Sequence, residues 1–227
     1  MEQKKSIRSK WQSKLADMQS APHWGKAAEK LRGLERYRNA ATIFATPHDS
    51  LHQARINCLA DGKNLLIPGP SIREGFFLLA KRSIPFKDIL LAATYKGLEK
   101  HGQLLKGDSM SKLSVGLLLA DSLAVDCTGG RIGDGNGFFD LCCALLQELD
   151  GLEHNADILT FIQEEQISRE MLPQDKWDVK LTGAVTPQQI HHFEPSDQKP
   201  KLFWDKLPKD RIKRIDPLWK LFQKSAG

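Results

Sequence analysis

A glycine-rich segment, TGGRIGDGNGFFD at residues 128–140, directly follows a long apolar run, LSVGLLLADSLAV. The apolar run predicts a buried strand, and the sequence FFDLCCALLQEL after it predicts an amphipathic helix. The five glycines between Gly129 and Gly137 favour a backbone with positive φ that closely approaches a bulky neighbour, rather than a strand or a helix. Because free N–H groups converge where a strand, a glycine loop and a helix N-terminus meet, the segment predicts a site for a phosphate-bearing ligand.

The loop matches neither of the common nucleotide-binding fingerprints. It lacks the GK[ST] ending of a Walker loop, and its glycine spacing is not GxGxxG. Glycine loops without a complete motif are often tight turns, so this structural alternative stays open at this point.

Composition narrows the class of protein. The length of 227 residues fits one α/β domain with extensions. No apolar run approaches about 20 residues, and the opening EQKKSIRSK has no apolar stretch behind it, so neither a membrane span nor a secretory signal is predicted. The four cysteines lack metal-ligand spacing and are expected to be reduced thiols inside a packed, cytoplasmic protein. The basic residues at the two chain ends are not interleaved with aromatic ones, which disfavours nucleic-acid binding.

Hydrophobic periodicity outlines the elements. The first twenty residues carry apolar side chains at helical spacing before Pro22, namely Ile7, Trp11, Leu15 and Met18. A second helix is predicted over 26–38, and a third over 49–62, capped by Asp49 or Ser50 and ended by Gly62. Strands are predicted over 39–46, 63–70, 113–125, 157–162 and 181–187. The segment 71–112 is ambiguous, and 89–94 fits either a strand or a helix.

Strands that alternate with helices predict the α/β class, with a doubly wound, mostly parallel sheet covered by helices on both faces. Ligands of such sheets bind beyond the carboxyl ends of the strands, which is where the glycine loop falls. We expect one α/β domain over 1–192, with a helical arm over 1–38. A basic, aromatic tail over 193–227 is expected to pack on this domain.

Two groups of histidines have plain structural explanations. His48, Asp49 and His52 lie at the start of a predicted helix, and nothing near them resembles a nucleophile elbow, so helix capping explains them. His191 and His192 are adjacent and lack a third ligand at suitable spacing, which favours a surface loop over a metal site.

The loop and both chain ends resemble the 5-formyltetrahydrofolate cyclo-ligase family, also called methenyltetrahydrofolate synthetases. The family pattern G-x-R-[LI]-G-x-G-x-G-[YF]-[YF]-D is met by residues 129–140, and its N-terminal K-x-x-[LI]-R by residues 4–8. The segment 178–187, DVKLTGAVTP, looks like the family's closing strand. The stretches PHDSLHQAR, GKNLLIPGPSIREGFF and PKLFWDKLPKDRIKRIDPLWKL resemble a divergent branch, the methenyltetrahydrofolate synthase domain-containing proteins.

The resemblance implies a reaction with ATP and Mg²⁺ in which 5-formyltetrahydrofolate closes to 5,10-methenyltetrahydrofolate. ATP phosphorylates the formyl oxygen, the second folate nitrogen attacks the activated carbon, and phosphate leaves. Arg131 is then the catalytic residue, and Asp140 is the magnesium ligand, unless Asp140 serves only the dipole of the following helix. The resemblance implies ATP binding by Lys4, Arg8, Gly130, Arg131, Ile132, Gly133, Asp134, Gly135, Asn136, Gly137, Phe138 and Phe139.

The sequence also departs from the family pattern. Asp134 and Asn136 stand where active members often carry Arg and Lys, and Phe-Phe-Asp-Leu at 138–141 replaces Tyr-Tyr-Asp-Arg. A second acidic residue that can assist magnesium aligns with Thr182, and 104–113 lacks the family's W-x-x-x-E-P segment. Two alternatives therefore stay open: a non-catalytic, regulatory nucleotide- or phosphate-binding paralogue, and an ATP-dependent enzyme for another heterocyclic small molecule. The oligomeric state is left open.

Overall fold

The computed structural model describes residues 2–17, 23–106, 109–196 and 198–226. The helices within these residues are α1 Glu2–Ala16, α2 Trp24–Gly33, α3 Glu35–Asn39, α4 His52–Ala60, α5 Ile89–Ala92, α6 Tyr95–His101, α7 Phe138–Glu148, α8 Lys209–Arg214 and α9 Asp216–Ala226. The strands are β1 Thr42–Ala45, β2 Asn64–Pro68, β3 Phe76–Leu79, β4 Gln103–Leu104, β5 Val115–Asp121, β6 Ala124–Val125, β7 Arg131–Ile132, β8 Leu152–Phe161, β9 Gly183–Val185 and β10 Ile190–His192.

The main sheet has eight strands in the order β10-β9-β8-β5-β1-β2-β3-β4. Its five central strands, from β9 to β2, are mutually parallel. The edges are antiparallel: β3 and β4 extend one side, and β10 extends the other. The predicted doubly wound, mostly parallel α/β fold is therefore confirmed.

The strands divide the core between two helical layers. On β1 and β5, Ile43 and Leu117 point to the face covered by α2, α4, α5 and α6. The neighbouring Phe44 and Leu118 point to the opposite face, which α7 and the C-terminal helices cover. This alternation follows from the period of two in a strand, and continuous apolar runs result because both faces are buried.

Both ends of the chain pack on this domain, as predicted. Trp11 of α1 is buried against the antiparallel hairpin formed by β6 and β7. Met18 and Pro22, which entered the helix prediction, lie outside the described residues. In the tail, Ile212, Ile215 and Leu218 are buried in the same cluster as α7. The division into a domain over 1–192 and a tail over 193–227 stays a prediction.

Several predicted helix boundaries need correction. The helix predicted over 26–38 is two helices, because the extended conformation of Leu34 (φ −70°, ψ 137°) interrupts it. The segment after β1 begins with a 3₁₀ turn, Asp49–Leu51. This turn is capped not by Asp49 or Ser50 but by His48, whose ring Nδ1 accepts the Ser50 N–H at 3.2 Å. The helical stop at Gly62 is confirmed, and this glycine has φ +70°.

The strand predictions were less complete. The strand predicted over 113–125 ends as β5 at Asp121, and its last residues pair instead in the β6–β7 hairpin. The ambiguous segment 89–94 contains the short helix α5, and 71–112 also contributes β3 and β4. His191 and His192 lie in edge strand β10 rather than in a surface loop, and His191 Nε2 lies 3.0 Å from Glu164 Oε2.

Three of the four cysteines are buried and Cys127 is exposed, so the expectation of thiols inside the protein holds for three of them. All four are free. None of the helices in the described part of the chain has the length and apolar composition needed to cross a bilayer. A cytoplasmic location stays a prediction.

Candidate functional site

Asp126, a buried carboxylate, organises the start of the glycine loop. Its Oδ1 accepts hydrogen bonds from the Thr128 and Gly130 backbone N–H groups at 2.8 and 3.0 Å, and its Oδ2 accepts the Leu172 N–H at 2.8 Å. A Cβ at Gly130 would lie 2.5 Å from Asp126 Oδ2, so only glycine fits beside this carboxylate. Asp126 was not among the predicted site residues, because an aspartate in a loop carries no sequence signal of its burial.

Arg131 lies at the centre of the loop and is 8% exposed. Together with Ile132 it forms strand β7, so the expectation that the glycine segment contains no strand was wrong. Its Nη1 donates to the Asp121 carbonyl at 3.0 Å and its Nη2 to Asp140 Oδ2 at 3.2 Å. Its guanidinium also lies 4.6 Å from the centre of the Phe139 ring.

These contacts keep Arg131 charged. Burial, the largest influence, lowers the pKa of its guanidinium, but the neighbouring charges of Asp140 and Asp121 outweigh burial and raise the pKa above the ordinary arginine value. The Nε–H is nevertheless buried and lacks a hydrogen-bond partner among the described residues. A buried donor without a partner costs free energy, so this cation has capacity for a further acceptor.

The tip of the loop folds back on itself. Asp134 accepts the Asn136 backbone N–H at 2.9 Å and the Asn136 side-chain amide at 2.7 Å. Gly135 has φ +96°, a conformation that residues with a side chain rarely adopt. Because the Asp134 carboxylate accepts these two hydrogen bonds from Asn136, it repels a nearby anion less strongly.

The N-terminal helix brings its two basic residues to the same place. Arg8 Nε donates to the Gly133 carbonyl at 3.2 Å. Lys4 is buried and pairs with Asp175, at 2.7 Å, and with Asp178. Lys4 and Arg8 therefore pack against the domain and do not form a solvated terminal arm.

Two cavities of about 320 Å³ each meet at the loop, and Arg131 and Asp134 line both. The first, here called the lysine cavity, is lined by Lys4, Lys5, Arg8, Arg131, Ile132, Gly133, Asp134, Gly135, Gly137, Asp140, Asp175, Trp177 and Asp178. The second, the histidine cavity, is lined by Thr46, Pro47, His48, Pro68, Gly69, Ser71, Ile72, Tyr95, Asp121, Arg131, Asp134, Asn136, Phe138, Phe139 and Cys142. Neither lining includes Gly130, whose role is the close packing against Asp126.

Asp140 faces the lysine cavity, but both of its oxygens already accept hydrogen bonds. Oδ2 accepts from Arg131, and Oδ1 accepts the Val179 N–H at 3.0 Å. Each carboxylate oxygen has a second lone-pair direction, so the group still fits the role of a single hard ligand for a magnesium ion held mainly by phosphate oxygens. Among the described residues, no three His, Cys, Asp or Glu side chains are grouped as an all-protein metal site.

Thr182 does not take the place of the missing acidic residue. Its hydroxyl accepts the Ile158 N–H at 3.0 Å, and it lines a separate surface cavity with Asp157 and His192. The acidic groups beside the lysine cavity come instead from Asp175 and Asp178. The sequence pattern placed Asp178 in the closing-strand segment without assigning it a site role.

The histidine cavity lies at the carboxyl ends of β1 and β5. Thr46 Oγ1 donates to Asp121 Oδ1 at 2.8 Å, which joins the two strand ends. Arg55 of α4 donates to the carbonyls of Thr46 and His48 at 2.7 and 2.9 Å, and burial lowers the pKa of its guanidinium to about 10. Sequence reasoning missed Thr46 and Asp121 as site residues, although their position at the carboxyl ends of two parallel strands was the available signal.

Comparison with known proteins identifies the family of this chain. The model of the 5-formyltetrahydrofolate cyclo-ligase family matches residues 1–187. The chain therefore belongs to the 5-formyltetrahydrofolate cyclo-ligase family, which confirms the resemblance found in the sequence.

The chain is also similar to individual proteins with a more specific name. The chain is 29% identical over 209 residues to a methenyltetrahydrofolate synthase domain-containing protein of Mus musculus, covering 89% of this chain and 55% of that protein. It is 25% identical over 210 residues to the protein of the same name from Danio rerio, covering 89% of this chain and 54% of that protein. The chain thus spans about half the length of the curated relatives it matches.

Solved structures show the same fold. The NMR structure of the Aquifex aeolicus 5,10-methenyltetrahydrofolate synthetase superposes with a TM-score of 0.57 at 16% identity, covering 85% of this chain and 94% of that one. The 5,10-methenyltetrahydrofolate synthetase of Mycoplasma pneumoniae gives a TM-score of 0.53 at 13% identity, with 81% and 98% coverage.

Proposed function

We propose that this chain is an ATP- and Mg²⁺-dependent enzyme of the cyclo-ligase type that converts 5-formyltetrahydrofolate to 5,10-methenyltetrahydrofolate. The lysine cavity takes the nucleotide, with its phosphates at the glycine loop. The histidine cavity takes the folate-like molecule. Arg131 lines both cavities, at the position where a phosphoryl group passing between two substrates needs stabilisation.

The convergence of Arg8, Arg131 and the glycine loop is the observation that carries the proposal. Among the described residues, Arg8 has no carboxylate partner within ion-pairing distance, and the Arg131 Nε–H has no acceptor. The N-terminus of α7 adds a positive partial charge, and Gly137 at its cap offers no side-chain hydrogen bond. The lining of the lysine cavity carries four carboxylates beside its four cations, so its charge is balanced. The unpartnered Arg131 Nε–H and Arg8 are therefore the groups that favour an anionic ligand, and a triphosphate would supply acceptors for both.

The position of each side chain at the two cavities indicates its role in the proposed reaction. Arg131, held by the Asp121 carbonyl and Asp140, is preorganised to stabilise charge on the transferred phosphoryl group. Asp140 is the residue that would hold magnesium, which would neutralise phosphate charge when bound. Thr46 and Asp121 present a hydroxyl and a carboxylate to the second substrate, and Phe139 shields the junction from water.

The direct test is turnover by the purified protein with MgATP and 5-formyltetrahydrofolate, following the methenyl chromophore and ADP together. The proposal requires both signals to rise in step.

We expect Arg8→Ala to weaken MgATP binding about 10- to 100-fold, equivalent to the roughly 1.5–3 kcal/mol of a charge-assisted hydrogen bond. Lys10→Ala is the matched control, because Lys10 is an exposed cation on the same helix. Equal affinity in the two variants would contradict the site.

A non-catalytic, nucleotide-binding paralogue is the second candidate, and one observation favours it. The ammonium of Lys4 is taken up by Asp175 and Asp178, so it is not available to phosphate in this arrangement. This candidate predicts that MgATP raises the melting temperature while neither chromophore nor ADP accumulates. Use of ATP with a different heterocyclic substrate would instead give ADP only when that substrate is supplied.

A further inference from the structure

The C-terminal tail places an arginine against the glycine loop. Arg211 of α8 lies with its guanidinium carbon 4.9 Å from the centre of the Phe138 ring. A Cβ at Gly137 would lie 4.0 Å from Arg211 Nη1. The side chain therefore covers the last residue of the loop and the first residue of α7. Arg211 lies beyond residue 187, where the match to the family model ends.

The position of this arginine is electrostatically unusual. The N-terminus of a helix carries a positive partial charge, so a cation beside it is unfavourable unless an anion accompanies it. In the described part of the chain, Arg211 forms no ion pair, and its Nη2 is buried without a hydrogen-bond partner. Burial lowers the pKa of the guanidinium, and the nearby carboxylates of Asp134 and Asp140 only partly oppose that effect.

Arg211 lies in a part of the tail that is packed into the core. The next residue, Ile212, and the nearby Ile215 are each 3% exposed and belong to the core beneath α7. A second tail contact lies at the lysine cavity, where the Phe203 ring packs edge-on against Trp177 at 6.2 Å. The tail thus contacts the proposed nucleotide site at two separate points.

We propose that the C-terminal tail completes the phosphate site, with Arg211 as a positioning residue that acts through Phe138. By stacking on this ring, Arg211 would fix the backbone at Gly137, which lines the lysine cavity, and would add a positive charge beside the glycine loop. This inference rests on the proposed nucleotide site, and it assigns to that site a residue from outside the segment that the family model matches.

The test compares MgATP binding by calorimetry in the full-length protein and in single variants. We expect Arg211→Ala to weaken binding at least 10-fold and Arg211→Lys to restore most of the affinity, because an ammonium also binds an aromatic face. The salt dependence of the dissociation constant should be shallower in Arg211→Ala, a change that a purely structural defect does not produce. Arg214→Ala is the matched control, since Arg214 is an exposed arginine of the same helix.

Two further outcomes separate this inference from the proposed function. If Arg211→Ala binds MgATP like the unaltered protein while Arg8→Ala does not, the role of the tail is refuted and the nucleotide site stands. If the unaltered protein binds no MgATP, the proposed function fails and the role of the tail fails with it. Arg211→Met covers the case in which the alanine variant misfolds, because it keeps an apolar stem on Phe138 and removes only the charge. Unchanged affinity and salt slope in a folded Arg211→Met protein would also overturn the inference.

Discussion

The shape of the glycine loop depends on a buried carboxylate as much as on its glycines. Asp126 accepts three backbone N–H groups, from Thr128, Gly130 and Leu172, and has no exposed surface. A carboxylate fixes such donors more strongly than a neutral acceptor does. The loop is consequently built before any ligand arrives, and its tip at 133–137 is left to contact the lysine cavity.

We predict that Gly135→Ala weakens MgATP binding more than it changes the fold. An alanine at φ +96° is strained by about 1–3 kcal/mol, and its Cβ would lie 2.9 Å from Arg8 Nε. The arginine tip can move, so the strain is relieved by shifting the loop and Arg8 together. Calorimetric MgATP titration with a thermal melt measures both effects.

The matched control for this prediction is Gly25→Ala in α2. No atom lies within 4 Å of the Cβ position at Gly25, so alanine there is expected to be neutral or to stabilise by up to about 1 kcal/mol. Unaltered MgATP affinity in Gly135→Ala would show that the loop tip is not part of the nucleotide site.

At the residue scale, the sequence predicted the local parts of the site but not the distant ones. The loop, Arg131 and the Lys4–Arg8 pair were identified because they form short motifs, and the structure brings them together. Lys4 pairs with Asp175 across 171 residues of sequence, and no local pattern encodes such a contact. Arg211 was missed for the same reason, since only the fold carries it to the loop. Asp126 lies directly before the loop and was missed because its sequence position does not reveal that it is buried.

At the scale of elements, the buried cation of Lys4 helps to hold α1 on the domain, together with the buried ring of Trp11. Lys4 bridges Asp175 and Asp178, and one turn further along Arg8 contacts the loop. A helix this short is marginal alone in water, so tertiary contacts hold it in place. The position of α1, and with it one wall of the lysine cavity, therefore depends on this pair of contacts.

We predict that Lys4→Ala loosens α1 and lowers the stability of the protein. The substitution leaves two carboxylates without their cation close to Asp140, which costs about 2 kcal/mol. Hydrogen–deuterium exchange should show faster exchange in α1 than in the unaltered protein, together with a lower melting temperature. Lys10→Ala, at an exposed position of the same helix, should leave both unchanged. Slow exchange preserved in Lys4→Ala would mean that Trp11 and the remaining polar contacts of α1 dock the helix without Lys4.

The predictions of elements were correct for the buried central strands and wrong for short strands near the edges of the sheet and for one helix cap. The central strands β1, β2, β5 and the buried second half of β8 were found because strands buried on both faces are continuously apolar. The first half of β8 was missed, because its residues are mostly polar and only partly buried or exposed. The antiparallel strand β3 and the edge strands β4 and β10 were missed, because strands of two to four residues have no distinctive periodicity. Helix capping was predicted for the segment around His48, but the cap was assigned to Asp49 or Ser50, since a histidine ring nitrogen rarely replaces the oxygen of Asp or Ser.

At the scale of the whole molecule, the two chain ends meet around a single loop. The N-terminal helix supplies Arg8 on one side of the loop, and the tail supplies Arg211 on the other. The core beneath the tail is continuous with that beneath α7 and β5. The tail is thus a structural layer of the domain, even though it lies outside the matched family segment.

We predict that the tail cannot be removed without loss of the native state. Leu218 is fully buried, and Leu218→Ala should lower the free energy of unfolding by about 2–5 kcal/mol, a large share of a typical total of about 5–15 kcal/mol.

A protein truncated after residue 192 should expose the apolar face of α7 and aggregate, and mild proteolysis of the intact chain should leave the tail attached. Denaturant unfolding, light scattering and mass spectrometry of the digest measure these three effects. Ser225→Ala, an exposed position of α9, is the control for unfolding. A monodisperse 1–192 fragment with the melting temperature of the full chain would contradict this prediction, because it would show that residues 1–192 fold without the tail. In that case the packing of the tail would not explain why Arg211 lies beside the loop.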